Sequence, residues 1–119
     1  MTVAKTFTGG CHCGLVRYEC TSDLAMVTAC NCSICTKRGL HFAFLAPQSF
    51  HLRAGDELLK DYLFNQRAIR HRLCAECGVE IFAEGAKPDG TRVIALNVST
   101  IDQIDLSKLA MTQIDGRNR

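Results

Sequence analysis

Seven cysteines of the chain fall into three tight groups: Cys11-x-Cys13, Cys30-x-Cys32-x-x-Cys35 and Cys74-x-x-Cys77. Thiols one or two residues apart can turn together towards one ion, at the roughly 2.3 Å of a zinc–sulfur bond. Glycine follows two of the pairs, at Gly14 and Gly78. Positive φ there would let backbone amides point at the sulfurs and favour the thiolate, the form that binds metal. The eighth, Cys20, stands outside every group on a segment of alternating polarity and reads as a small buried hydrophobe. An even set of eight also admits a disulfide framework. Against that stand the tight pairing and an N-terminus, "MTVAKTFTGGCHCG", with no basic region followed by an apolar run. The expectation is a cytoplasmic chain, in a reducing compartment where paired cysteines bind metal.

Ligand arithmetic separates the groups. Cys11, Cys13, Cys74 and Cys77 complete the four donors of a closed structural zinc. Cys30, Cys32 and Cys35 then hold a second zinc with one corner open, the way catalytic zinc is held. Two zinc ions per chain are therefore expected. Seven thiolates and two divalent ions would take the formal charge from +2 to about −1. The mild basicity of the composition is thus no argument for nucleic acid.

The elements that must position these thiols are mostly short strands. With 119 residues, 47% of them hydrophobic, residues 1–119 suit one domain with its own core. "GLVRYECT" alternates Val16, Tyr18 and Cys20 with Leu15, Arg17 and Glu19, the period of a half-buried strand. "HFAFLAP" is more continuously apolar and suits a strand buried on both faces, while "ELLKDYLFN" leans towards strand over helix. "VEIFAEG" and "TRVIALNVST" flank the turn "AKPDG" and read as a hairpin. "LAMTQID" is expected to return to a sheet, and "SICTKRG" to form a short helix stopped by Gly39. A further turn is expected at "IDLSKL". The fold class is mainly β, with eight or nine strands and one or two short helical turns. No apolar stretch approaches the roughly 18 residues that span a bilayer.

"GGCHCGLVRYEC", "CNCSICTKRG", "RLCAECGVEIF", "ALNVSTID" and "IDGRN" together resemble the glutathione-dependent formaldehyde-activating enzyme family, which includes centromere protein V. The similarity runs from about Gly9 to Arg117. It implies a β-tent of small antiparallel sheets pinned by zinc. It also implies a carbon–sulfur lyase activity that condenses glutathione with formaldehyde to S-hydroxymethylglutathione. Carried over by position, the resemblance assigns Cys11, Cys13, Cys74 and Cys77 to structural zinc, and Cys30, Cys32 and Cys35 to catalytic zinc. Cys20 and the segment 47–66 lie outside the family's pattern.

The partners this implies are a small-molecule thiol and an aldehyde. Lys37 and Arg38, just past Cys35, are candidates for the carboxylates of a glutathione-like ligand, against the plain reading of a solvated turn. His12 is expected to point outward, and His51 has no context that raises it. His41 reads as a fourth ligand, a proton shuttle or an ordinary strand residue. Arg67, Arg70, His71 and Arg72 form a basic run that is either one charged strand face or a contact for an acidic ligand. Two rival readings remain: a non-catalytic zinc module for protein or nucleic acid, and a redox or metal-storage protein. Nucleic acid is disfavoured by the missing basic tail and by the absence of Trp, with two Tyr to stack bases on.

Overall fold

In the computed structural model of the chain, which describes residues 4–24, 26–30, 33–63, 69–102 and 104–114, the alternation near the N-terminus becomes an inward-facing row. Val16, Tyr18 and Cys20 are 0%, 1% and 1% exposed. Tyr18 and Cys20 lie on β2 (Arg17–Ser22), which pairs antiparallel with β1 (Lys5–Gly10) and with β5 (Phe50–Ala54) in a three-stranded sheet. The second sheet has seven strands. In chain order these are β3 (Val27–Cys30), β4 (Phe42–Leu45), β6 (Leu59–Tyr62), β7 (Arg70–Cys74), β8 (Glu80–Ala86), β9 (Arg92–Asn97) and β10 (Met111–Ile114). Their order across the sheet is β10-β3-β4-β9-β8-β7-β6. The helix α1 (Ser33–Arg38) and four 3-10 turns complete a mainly β architecture.

Local chemistry accounts for most of this. The helix stops where Gly39 takes φ 66° and the Leu40 amide returns to the Cys35 carbonyl at 3.0 Å. The "AKPDG" segment turns with the Gly90 amide on the Lys87 carbonyl at 2.8 Å, and β8 and β9 pair on either side of it. "ELLKDYLFN" divides into a 3-10 turn and the strand β6, and "IDLSKL" holds the 3-10 turn Leu106–Lys108. Three expectations need correcting. The described residues form ten strands, against the eight or nine expected. β10 returns to the sheet parallel to β3, so the larger sheet is not wholly antiparallel. β4 is not covered on both faces: Phe44 is 52% exposed where its neighbours Ala43 and Leu45 are buried.

The sheets meet over aromatic rings. Phe50 of β5 lies 5.2 Å from Tyr18 and 4.7 Å from Phe82 of β8, both tilted, so one ring carries the contact from sheet to sheet. Behind it runs a buried polar chain. The Tyr18 hydroxyl donates to Thr100 Oγ1 at 2.7 Å, and Thr100 Oγ1 donates to the Asn97 carbonyl at 2.7 Å. Asn97 Nδ2 in turn donates to the Glu80 carbonyl at 2.9 Å. Each member has its partner, as burial requires.

Gly9 marks the tightest approach in this region. A Cβ there would lie 2.4 Å from the Thr100 carbonyl oxygen and 2.4 Å from the Tyr18 hydroxyl. Backbone on one side and a hydrogen-bonded phenol on the other leave nothing free to yield. Gly9→Ala is expected to lower unfolding stability by about 2 kcal/mol, the usual cost of overpacking. Denaturant titration checks it, and an unchanged midpoint would contradict the packing described.

Candidate metal centre

Two knuckles converge. The first joins β1 to β2: the Cys11 amide donates to the Val16 carbonyl at 3.2 Å, the Gly14 amide to the Cys11 carbonyl at 3.2 Å, and the Val16 amide to Cys11 Sγ at 3.4 Å. The second joins β7 to β8, with the Gly78 amide on the Cys74 carbonyl at 2.8 Å and the Cys74 amide on the Val79 carbonyl at 2.9 Å. Gly14 and Gly78 take φ of 83° and 81°, and a Cβ on either would meet no atom within 4 Å. Glycine is required there by conformation, not by space.

The four sulfurs of Cys11, Cys13, Cys74 and Cys77 all lie within 4.8 Å of one another. Cys11 and Cys13 Sγ are 3.4 Å apart, and Cys13 and Cys74 Sγ 3.7 Å. A disulfide needs about 2.05 Å. Four sulfurs at 2.3 Å around a tetrahedral zinc stand about 3.8 Å from each other, so the donor set fits that ion.

Charge points the same way. Burial works against the Cys77 thiolate, but the amides of Val79 and Cys13 and the thiols of Cys74 and Cys11 outweigh it, bringing its pKa down to about 6. Cys11 is lowered too: burial opposes this, as does Cys77, and the Val16 amide with the thiols of Cys13 and Cys74 prevails. Cys13 has the help of the Leu15 amide, yet Cys11 and the other thiols push it up to about 12. Packed this closely, four thiols cannot all ionise unless a cation joins them. A zinc ion would meet that need.

Cys35 stands apart from this cluster. It is 6% exposed in α1 and packs with Ile34, Leu40, Phe42, Ala83 and Ala95. The backbone of Cys30 ends β3, five positions before the helix turns Cys35 inward. Cys32 and the side chain of Cys30 lie outside the described residues.

Strand register defines the face on which α1 sits. Tyr62, His71, Ala83, Ala95 and Phe44 are successive cross-strand partners from β6 to β4, and partners share a face. Ala83 and Ala95 contact the cluster around Cys35 and also floor a groove of about 340 Å³ walled by Phe44, Ile69 and Val93, with Lys87 among its lining. A mostly apolar depression, with Glu84 also on its lining, thus adjoins the cluster around Cys35.

The two cations after Cys35 have different surroundings. Lys37 is exposed. Arg38 pairs through Nη1 with Glu80 and lies over the Tyr62 ring at 5.2 Å. Glu80, 1% exposed at its side chain, also faces His71 Nδ1 at 3.0 Å. Sequence reasoning passed over Glu80, although a lone acid between Val79 and Ile81 in an apolar strand was the available signal. His12 and His51 are exposed. Among the described residues, His41 Nδ1 is a buried side-chain nitrogen with no hydrogen-bond partner, so an ion or ordered water is its natural complement. Cys20 is buried, its thiol pushed up to about 11 by desolvation.

The basic run is not an open patch. Arg70 binds Asp61 at 2.6 Å and Glu84 at 3.3 Å, and Arg72 binds Asp61 at 2.9 Å. These ion pairs hold the Asp61 carboxyl below its ordinary range, Arg70 more than Arg72. His71 points to the opposite face, and Arg67 lies outside the described residues.

The sequence profile of the glutathione-dependent formaldehyde-activating enzymes matches residues 6–114. The chain belongs to that family. Among solved structures, a crystal structure of a Rhodobacter sphaeroides protein is similar with a TM-score of 0.76 at 25% sequence identity. The match covers 88% of this chain and 99% of that one. No helix among the described residues is long and apolar enough to cross a membrane.

Because the cluster joins segments far apart in sequence, a metal held there would be part of the fold. Cys74→Ser is expected to abolish the cooperative thermal transition of the zinc-loaded protein, and a strong chelator to do the same to the wild type. Circular dichroism on heating checks both. A native-like transition in the chelated protein would deny the cluster a structural role.

Proposed function

We propose that the chain is a zinc-dependent carbon–sulfur lyase resembling S-(hydroxymethyl)glutathione synthase. It joins or releases an aldehyde and a thiol such as glutathione at a second zinc held by Cys30, Cys32 and Cys35. The observation that carries the reading is the completeness of the other cluster. Four clustered sulfurs are enough donors for one zinc, and Cys35 lies elsewhere, beside a mostly apolar groove, in a family named for this chemistry.

In the joining direction the thiol sulfur bonds to the carbonyl carbon, the carbonyl π pair moves onto oxygen, and the thiol proton ends on that oxygen. Release runs the same steps backwards. Zinc in the triplet, when bound, supplies the positive charge that makes a thiol acidic near neutral pH. The protein's own part is positional. Leu40, Phe42, Ala83 and Ala95 seat Cys35 away from water. Phe44, Ile69 and Val93 offer the aldehyde an apolar berth. Lys37 and Arg38 are proposed for the carboxylates of the thiol. Holding both reactants in one orientation is where most of the acceleration arises.

The rival reading as a nucleic-acid module draws on the Arg67–Arg72 run. Ion pairing of Arg70 and Arg72 to Asp61 and Glu84 weakens it, since phosphates would have to displace carboxylates already in place.

Metal analysis is expected to give close to two zinc per chain. Cys32→Ser should remove one of them and abolish thiol–aldehyde turnover while the melting transition persists. With cobalt in place of zinc, glutathione should perturb the visible spectrum of wild type and leave that of the serine variant unchanged. A single ion per chain, or unfolding of Cys32→Ser to the same degree as Cys74→Ser, would reduce the triplet to scaffold.

A further inference from the structure

We propose that Arg38, held by Glu80 and stacked on Tyr62, anchors a carboxylate of the thiol substrate, and that Glu80 is the residue that positions it. The inference rests on the proposed reaction for the identity of the thiol, and on the geometry alone for the anion site.

Glu80 is the pivot. Its carboxylate is 1% exposed, accepts from Arg38 Nη1 on Oε1, and faces His71 Nδ1 at 3.0 Å on Oε2. A carboxylate accepts only, so Nδ1 carries the shared proton. The backbone of the same residue is fixed by Asn97 Nδ2 on its carbonyl at 2.9 Å. Both oxygens and the main chain are therefore tied, and the acid cannot swing away.

Arg38 is held by only part of its donor set. Nη1 goes to Glu80, while Nε and Nη2 have no partner among the described residues, and 28% of the side chain reaches solvent. The guanidinium plane is steadied over Tyr62 at 5.2 Å, itself 43% exposed. The unspent Nε–Nη2 edge is the arrangement that receives a carboxylate through two parallel hydrogen bonds. Pinning one side of the fork removes rotamer freedom that a free arginine would lose on binding. Lys37, exposed on the same turn, has no such support.

The ion pair seats α1, and the same contact presents one edge of a planar cation towards solvent, 28% of the side chain being exposed.

Arg38 and Cys35 are three positions apart on α1, about one turn of the helix. A thiol whose carboxylate is held at Arg38 is therefore kept close to Cys35.

S-methylglutathione tests this, because its capped sulfur cannot become a thiolate and its two carboxylates are intact. Calorimetry on zinc-loaded protein is expected to detect binding by wild type and by the control Lys108→Ala. The diethyl ester of the probe should bind on the order of tenfold more weakly. Arg38→Ala and Glu80→Gln should each weaken binding of the acid by a similar factor, and the double variant should be no weaker than either. Arg38→Lys should fail to restore affinity, having lost the fork. Unchanged affinity in Arg38→Ala, additive losses in the double variant, or no binding by wild type overturns the anchor. Should Glu80→Gln fail to fold, the comparison of Arg38→Ala with Arg38→Lys decides alone. Turnover assayed in parallel separates the two ideas. Arg38-dependent binding without thiol–aldehyde turnover rejects only the reaction, and turnover with Arg38-independent binding rejects only the anchor.

Discussion

The arrangement depends on four sulfurs brought to one point from opposite parts of the chain. Cys13 and Cys74, whose Sγ atoms are 3.7 Å apart, are separated by 61 positions in sequence. Without a cation this contact is repulsive for any pair of thiolates; with one it becomes a cross-link whose binding free energy is folding free energy. The knuckles are hydrogen-bonded turns, so a metal held there would fix the four strands that enter and leave them as well as the sulfurs. β1 and β2 belong to one sheet, β7 and β8 to the other. Such an ion would join the two sheets, as the rings of Tyr18, Phe50 and Phe82 do.

From that point the geometry propagates through a carboxylate. β7 ends at Cys74 and carries His71; β8 begins with Glu80, three residues after Cys77. Both side chains therefore inherit their positions from the knuckle. Glu80 then reaches Arg38 at the end of α1, and α1 carries Cys35. Burying a carboxylate costs several kcal/mol before its partners are counted. Two charge-assisted contacts offset that cost, and because they are directional they also select one seat for the helix, where apolar packing by Ile34 and Leu40 would tolerate several. The helix has six residues, too short to hold its own register.

Local patterning made some of this legible in the sequence and left the rest dark. The Val16–Tyr18–Cys20 alternation, the Gly39 stop and the turn between β8 and β9 are short-range features, and each appears where the chain alone indicates. The four-sulfur cluster was also legible, because ligand number is a chemical constraint that needs no coordinates. Parallel pairing of β10 with β3 was not: its partner lies more than eighty positions away, and no nearby residue records the direction. The exposure of Phe44 was hidden for a related reason, since an apolar side chain over a groove and one in a core look the same in a sequence. Arg70 and Arg72 read as a basic patch until register set Asp61 and Glu84 against them. Glu80 was the largest omission, an acid whose role follows from a histidine nine residues upstream and an arginine 42 positions away.

Separation of the two cysteine groups has a physical rationale on the proposed function. An ion that holds a fold together must keep its ligands for the life of the molecule, whereas one that turns over substrate must release a ligand in every cycle. A single site doing both would loosen the fold each time product left. Placing the exchangeable position on α1, joined to the closed cluster through Glu80, lets a ligand come and go while the four sulfurs stay shut. The same division suits the electrostatics: three thiolates on a divalent ion already carry an excess negative charge, which an incoming anionic sulfur would increase. A cation on the same helix, steadied by the rigid half of the molecule, offsets that charge where the ligand arrives. On the same reading the groove that shares Ala83 and Ala95 with the cluster around Cys35 receives the uncharged reactant, so charge and polarity sort the two substrates to different surroundings.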